Sequence, residues 1–168
     1  TMVLTPQAAD LIKAPLVASG GIADGRGMAA AIALGAEAVE MGTAFLAAKE
    51  TAVHSNVKQA VVMAQDMDSI ITGSSTDEPC RQLKNTLSDA LLKIEAEYTK
   101  AEAAELLRPV AESSLKKAMA EGDMENGAVM AGQIAPLIKQ IRPAAEIIDS
   151  ILKECKEILK NIQQFSFN

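Results

Sequence analysis

The chain has 168 residues, a formal net charge of −6, and only 2% aromatic residues. That acidic balance argues against non-specific binding to nucleic acid or to an anionic membrane surface. No apolar run approaches the roughly 20 residues of a membrane-spanning helix. Cys80 and Cys155 stand alone, with no CxxC and no metal-ligand spacing, so no metal site is expected and a reduced, cytoplasmic protein is the simple inference. With aromatics limited to Phe45, Tyr98, Phe165 and Phe167, the core must be built from Ala, Val, Ile, Leu and Met.

In chain order, Thr5-Pro6 reads as a helix start, Thr5 as N-cap and Pro6 at the first helical position, with the helix running to about Ile12. Pro15 to Ser19 is a short apolar run ending in Gly20-Gly21, as expected of a fully buried parallel strand. Asp24-Gly25-Arg26-Gly27 is a turn cluster. Met28 to Leu34 is rich in helix formers, and Gly35 stands where a helix C′ residue belongs. Ala38 to Met41 resumes an extended apolar pattern, closed by Gly42-Thr43. Together these make a βαβ unit, followed by a short helix from Thr43 through Ala48.

A further helix is expected from Ser55 or Asn56 to near Asp66, with Val57, Ala60, Val61 and Ala64 on one face. Asp68 to Gly73 and Cys80 to Leu83 read as two short strands across a Ser/Thr/Asp turn. Thr86 is expected to cap a long helix that Pro109 ends or kinks. Another helix begins at Ser113 or Ser114 and stops at Gly122, and Asn126-Gly127 is a turn. Met130 to Ile141 is expected to be helical in its later part, which leaves Ala131-Gly132-Gln133 in a loop or at that helix's N-terminus. From Pro143 onward, Ile147, Ile148, Ile151, Leu152, Cys155, Ile158, Leu159 and Ile162 form one apolar stripe opposite Glu and Lys.

The two glycine turns of the βαβ unit fall just past the C-terminal tips of its strands. Bare backbone there lets N–H groups approach a ligand with no Cβ in the way. A helix opening at Thr43 would add partial positive charge at the same spot. That is the geometry of a phosphate cradle, as formed in (β/α)₈ barrels by the loops after the last two strands. The alternative for any one such turn is a plain strand end with no ligand.

The residues that carry a family resemblance are Ala18-Ser19-Gly20-Gly21-Ile22-Ala23-Asp24-Gly25-Arg26-Gly27, Leu34-Gly35-Ala36-Glu37-Ala38-Val39 and Met41-Gly42-Thr43. Gly122-Asp123 and Met130-Ala131-Gly132-Gln133 extend it toward the C-terminus. On these the chain resembles the flavin-dependent nitronate monooxygenases, once called 2-nitropropane dioxygenases, and their relatives the FMN-dependent enoyl-acyl-carrier-protein reductases. The resemblance implies an α/β fold that is the C-terminal part of a (β/α)₈ TIM barrel. Residues 1–55 would be a partial barrel bearing FMN phosphate loops, and residues 56–168 a mostly helical substrate-side region. A complete barrel takes about 250 residues, so the chain reads as the C-terminal half of a longer enzyme.

The implied cofactor is FMN, with Gly20, Gly21, Glu40, Met41, Gly42 and Thr43 binding its phosphate and ribityl chain, and Ala131, Gly132 and Gln133 as a candidate active-site loop. No catalytic residue is assigned, because the family's histidine base lies in a Gly-Gly-His segment that would precede Thr1. His54, the sole histidine, sits in a polar helix-entry stretch and reads as structural. Asp24 either faces the ribityl chain or holds its own turn. Glu40 stands where relatives commonly carry Gln, and must point away from a phosphate or bond a ribityl hydroxyl. Ala44 stands where the family usually has Arg, removing one positive charge. Arg26 and Arg81 read as solvated surface charges.

The implied activity is oxidation of an alkyl nitronate, with the flavin reoxidised by oxygen. The alternative is reduction of an enoyl thioester on acyl carrier protein with NAD(P)H. A third reading is an inactive fragment that self-associates as a homodimer or needs a missing N-terminal half, because two strands leave barrel edges unpaired.

Overall fold

The computed structural model describes residues 1–164, so Phe165 and Phe167 lie outside the described residues. Helix α1 (Leu4–Leu11) starts earlier than expected, with Val3 rather than Thr5 in the N-cap position. The Thr5 N–H is already bonded to the Thr1 carbonyl at 3.0 Å, which closes the first turn upstream of Pro6.

Strand β1 (Val17–Ser19), helix α2 (Gly25–Ala33) and strand β2 (Ala38–Glu40) form the expected βαβ unit. β1 and β2 pair in parallel, Val17 with Ala38, Ala18 with Val39 and Ser19 with Glu40. Gly35 has φ +100°, the left-handed conformation that ends α2 and that a Cβ would strain. The expectation of a fully buried first strand fails: Ala18 is buried, but Val17 is 53% exposed. The two-stranded sheet has a core only on the side where Ala18, Ile22, Ala31 and Ala36 meet. Its other face carries no covering layer among the described residues.

After the one-turn helix α3 (Thr43–Leu46) comes α4 (Ser55–Met63), which stops short of Asp66. Strands β3 (Ser69–Thr72) and β4 (Cys80–Leu83) form the expected antiparallel hairpin, with Ile70 opposite Gln82 and Thr72 opposite Cys80. The long helix expected from Thr86 is two helices, α5 (Thr86–Glu97) and α6 (Lys100–Ala111). Capping chemistry explains the break. Asn85, not Thr86, caps α5, and Thr99 forms a second capping box with Glu102, whose side chain returns to the Thr99 N–H at 3.1 Å. Pro109 lies inside α6 near its end rather than terminating it.

A short helix α7 (Ser114–Lys116) runs into a π-turn (Lys117–Glu121) closed by Gly122 at φ +72°. The helix expected late in Met130–Ile141 is only a 3₁₀ turn, Ala135–Leu137, with the rest irregular. Helix α8 (Ala144–Ile162) follows as expected, but its apolar stripe is only half used. Ile147, Ile151 and Cys155 are buried, whereas Ile148 and Leu152 are about half exposed.

α8 packs on α2, so the end of the chain returns to the βαβ unit. Three contacts hold it there: Ala144 N–H donates to Glu50 Oε2 at 2.8 Å, Lys49 N–H to the Arg142 carbonyl at 2.9 Å, and Gly25 N–H to Glu154 Oε2 at 2.8 Å. The main core lies beside this pair, where Val57 and Val61 of α4 meet Ala47, Leu83, Ala118, Val129 and Ala135.

Candidate functional site

The β1–β2 register puts Ser19 beside Glu40, so Gly20-Gly21 and Gly42-Thr43 leave the sheet at the same end. Gly20 and Gly21 have φ +87° and +79°, a turn that glycine makes without strain. A Cβ at Gly20 or at Gly42 would meet no heavy atom within 4 Å, so both corners face open space. The carbonyl of Gly20 is tied down from outside, accepting the Thr1 hydroxyl at 2.7 Å. α3 is a single turn, so its dipole adds little, and bare backbone is the main feature of the second corner.

Loop 131–133 is brought to that second corner: the Gly132 N–H donates to Thr43 Oγ1 at 2.8 Å. Between them lies a cavity of about 380 Å³, lined by Gly42, Thr43, Leu46, Arg81, Met130 and Gly132 among others. Ala131 is buried, whereas Gln133 and Glu40 are exposed. Gly20 and Gly21 do not line this cavity.

Arg81 is the residue that sequence reasoning missed. It is not a free surface charge, because β4 places it in the wall of this cavity. Its Nη1 donates to the Ser69 carbonyl and to Ser69 Oγ, each at 3.1 Å, which anchors the guanidinium across the hairpin. It supplies a positive charge near Thr43 from another element, where Ala44 supplies none. Alternation along β4 puts Arg81 and Leu83 on one face, and Leu83 enters the main core. The alternation by itself does not say which face meets the cavity, so the sequence held no sufficient signal for Arg81.

Asp24 caps α2, accepting from the N–H groups of Arg26 and Gly27 at 3.0 and 3.1 Å, and it pairs with the Arg26 guanidinium. Burial is the largest single influence and raises its pKa. The Arg26 side chain and the Gly27 and Arg26 N–H groups together outweigh it and hold the carboxyl below the usual range. Of the two roles left open, the structure shows the turn-holding one.

His54 caps α4, its Nδ1 accepting the Asn56 N–H at 3.2 Å. Its backbone N–H donates to the Met119 carbonyl at 2.7 Å. Its ring lies so close to Gly122 that a Cβ there would come within 2.2 Å of Nδ1. In the structure, His54 caps α4 and packs on Gly122. Cys155 sits in the α2–α8 contact, where burial first and Glu154 second push its thiol pKa upward, which disfavours the thiolate.

The nitronate monooxygenase family model matches residues 1–154. A probable nitronate monooxygenase of Staphylococcus aureus strain MSSA476 is 31% identical over 161 residues, covering 95% of this chain and 44% of its own length. One from Staphylococcus saprophyticus is 33% identical over 159 residues, with the same coverage. Among solved structures, FabK from Thermotoga maritima aligns with a TM-score of 0.89 and 42% identity, over 97% of this chain and 51% of that one. A nitroalkane oxidase from Streptomyces ansochromogenes aligns with a TM-score of 0.77 and 28% identity, over 96% of this chain and 45% of that one. The chain thus spans about half the length of these relatives. With a match running from the first residue through most of α8, the chain belongs to the nitronate monooxygenase family.

Proposed function

We propose that this chain is the cofactor-phosphate part of an FMN-dependent (β/α)₈ oxidoreductase that oxidises alkyl nitronates. Residues 1–55 carry the phosphate loops and residues 56–168 the mostly helical substrate side. The observation that carries the reading is the shared end of the two glycine corners, each facing space that a Cβ would enter.

Gly20, Gly21, Gly42 and Thr43 then offer backbone N–H groups to a phosphate. Met41 and Glu40 border the ribityl chain, with the Glu40 carboxylate turned to solvent rather than toward the dianion. Arg81 is the counter-charge, fixed in place by Ser69. Thr43 accepts from Gly132 and so pins the Ala131-Gly132-Gln133 loop over the same corner. The flavin supplies the redox chemistry when bound. No residue of this chain is assigned as the base.

The open face of the β1–β2 sheet supports a further expectation, that the complete site needs the remaining barrel strands or a second copy of the chain. The test is titration of FMN into the chain, followed by quenching of flavin fluorescence. Micromolar affinity supports a working phosphate site, and no binding refutes it for this polypeptide.

A second reading is an FMN- and NAD(P)H-dependent enoyl-acyl-carrier-protein reductase. Helix α8 favours it, since Ile148 and Leu152 leave an apolar strip exposed on a charged helix that a carrier protein could meet. In the flavin-loaded protein, bleaching by NADH supports the reductase and bleaching by an alkyl nitronate the monooxygenase.

A further inference from the structure

Asn126-Gly127 is a turn that the flavin reading leaves unused. Asp123 Oδ1 accepts the N–H groups of Glu125 and Asn126 at 3.0 and 2.9 Å. Asn85 Nδ2 clamps the turn by donating to the carbonyls of Met124 and Gly127, each at 2.8 Å. The Leu87 N–H donates to the Glu125 carbonyl, and the Ala128 N–H to the Ser114 carbonyl, both at 2.9 Å. The turn therefore stitches the start of α5 to α7.

Only glycine fits at position 127. A Cβ there would lie 2.3 Å from the Asp123 carbonyl oxygen and 2.5 Å from the Ala118 backbone nitrogen, both main chain. The missing side chain also leaves the Gly127 nitrogen free to approach its neighbour's carboxamide. Its N–H has no acceptor among the described residues, so no hydrogen bond has to break first. Asn126 is exposed, so water reaches it. Its Nδ2 donates to Asp123 Oδ2 at 3.1 Å and to Oδ1 at 3.4 Å, contacts made by the nitrogen and not by the carbonyl carbon. Asn56, Asn85 and Asn161 are each followed by a β-branched residue, Val57, Thr86 and Ile162, whose stiff side chain hinders the same approach.

We propose that Asn126 is a self-modification site, where attack by the Gly127 nitrogen and then water converts it to aspartate or isoaspartate and releases the Asn85 clamp. The attack forms a bond from the Gly127 nitrogen to Asn126 Cγ and expels the side-chain nitrogen, which leaves as ammonia with the Gly127 proton. A five-membered imide results, and no oxidant or reductant takes part. Water then breaks one of its two C–N bonds. Cleavage at Cγ leaves aspartate, and cleavage at the main-chain carbonyl leaves isoaspartate. Either product sets a carboxylate beside Asp123 in place of the Nδ2 donor. Isoaspartate also lengthens the main chain by one carbon before Gly127, where packing leaves no room, and draws the Gly127 carbonyl away from Asn85. The inference rests on this turn alone and stands or falls apart from the flavin reading.

The full chain without flavin is held at pH 8 and 37 °C, folded and in parallel in concentrated guanidinium chloride, and its peptides are mapped by mass spectrometry. In the folded chain the Asn126 peptide is expected to convert at least about tenfold faster than those bearing Asn56, Asn85 and Asn161. Its product should include isoaspartate, and its rate should lie within about tenfold of that in the denaturant. Asn126→Gln, which would need a six-membered ring, should stop conversion at this position. The converted chain, separated on an anion exchanger by its extra negative charge, should unfold about 2–4 °C below the parent. Even conversion across the asparagines, aspartate as the sole product, conversion at Asn126 only in the denaturant, undiminished conversion in Asn126→Gln, or an unchanged midpoint each overturns the proposal. If Asn126→Gln does not fold, the measurements on the unaltered chain decide it.

Discussion

Substituting Gly25 by alanine tests how the βαβ unit is held. The Gly25 φ needs no glycine, and its position after the Asp24 cap is helical, so propensity alone favours Ala by up to about 1 kcal/mol. Packing says the opposite. A Cβ at Gly25 would lie 2.5 Å from the Cys155 backbone N, 2.6 Å from Glu154 Cβ and 2.7 Å from the Ile151 carbonyl. Two of these atoms are α8 main chain, so no side-chain rotation relieves the clash. Restoring ordinary contact requires α8 to withdraw by about 1 Å, which lengthens the Gly25 N–H to Glu154 bond and loosens Met28 against Ile147 and Ile151. Overpacking of this kind costs about 1–3 kcal/mol. Because the atoms in the way are main chain, the cost falls at the upper end of that range, about 3 kcal/mol, and less the propensity gain we expect Gly25→Ala to lose about 2 kcal/mol, or about 4–8 °C in Tm for a chain of this size. Thermal unfolding followed by far-UV circular dichroism reads it. Gly27→Ala is the milder comparison, since a Cβ there would lie 3.2 Å from Ile22 Cγ2 and 3.3 Å from Ile22 Cα, tight by a few tenths of an ångström rather than overlapping, so it should lose less than Gly25→Ala. A Gly25→Ala chain as stable as the parent would refute the close helix crossing.

His54→Ala should cost about 1 kcal/mol through loss of the α4 cap, read by urea unfolding, while His54→Asn should restore most of it. Asp24 and Glu50 both have folded pKa values below their ordinary range, Glu50 chiefly through the Ala144 N–H. Their stabilisation is therefore full above the unfolded carboxylate pKa of about 4 and is lost as pH falls through the lower folded values. The unfolding midpoint should be level between pH 5 and 7 and drop below pH 4, more shallowly in Asp24→Asn. A thiol reagent should label half-buried Cys80 in the native chain, and Cys155 only after denaturant is added. Thr43→Val should free the Gly132 N–H, and proton exchange at Gly132 should speed up relative to Ala135.

The βαβ unit was legible because its signals are local: an apolar run, a glycine corner, a helix-forming stretch and Gly35 at a left-handed cap. The β3–β4 hairpin was legible for the same reason. The errors came where two local rules compete. Thr86 and Pro109 looked like the ends of one helix, but the Thr99–Glu102 capping box starts a new one between them. The later part of Met130 to Ile141 was expected to be helical, but there the chain closes only one 3₁₀ turn over Ala135–Leu137 before Ile138 turns extended. Val17 looked buried because parallel strands usually are, and whether a second layer covers it is not a property of the strand's own residues. Within the candidate site, the glycines could be read directly. Arg81 could not, because its place depends on which face of a four-residue strand meets which neighbour.

The central claim is that two bare-backbone corners grip a phosphate. The most direct measurement is a paired titration of the chain with FMN and with riboflavin, which differ only in that group, repeated with Gly42→Ala. The account predicts FMN binding about tenfold or more tighter than riboflavin, with the gap closing in Gly42→Ala while the unfolding midpoint stays put. Equal affinity for the two flavins, or a gap indifferent to the added methyl, would contradict it.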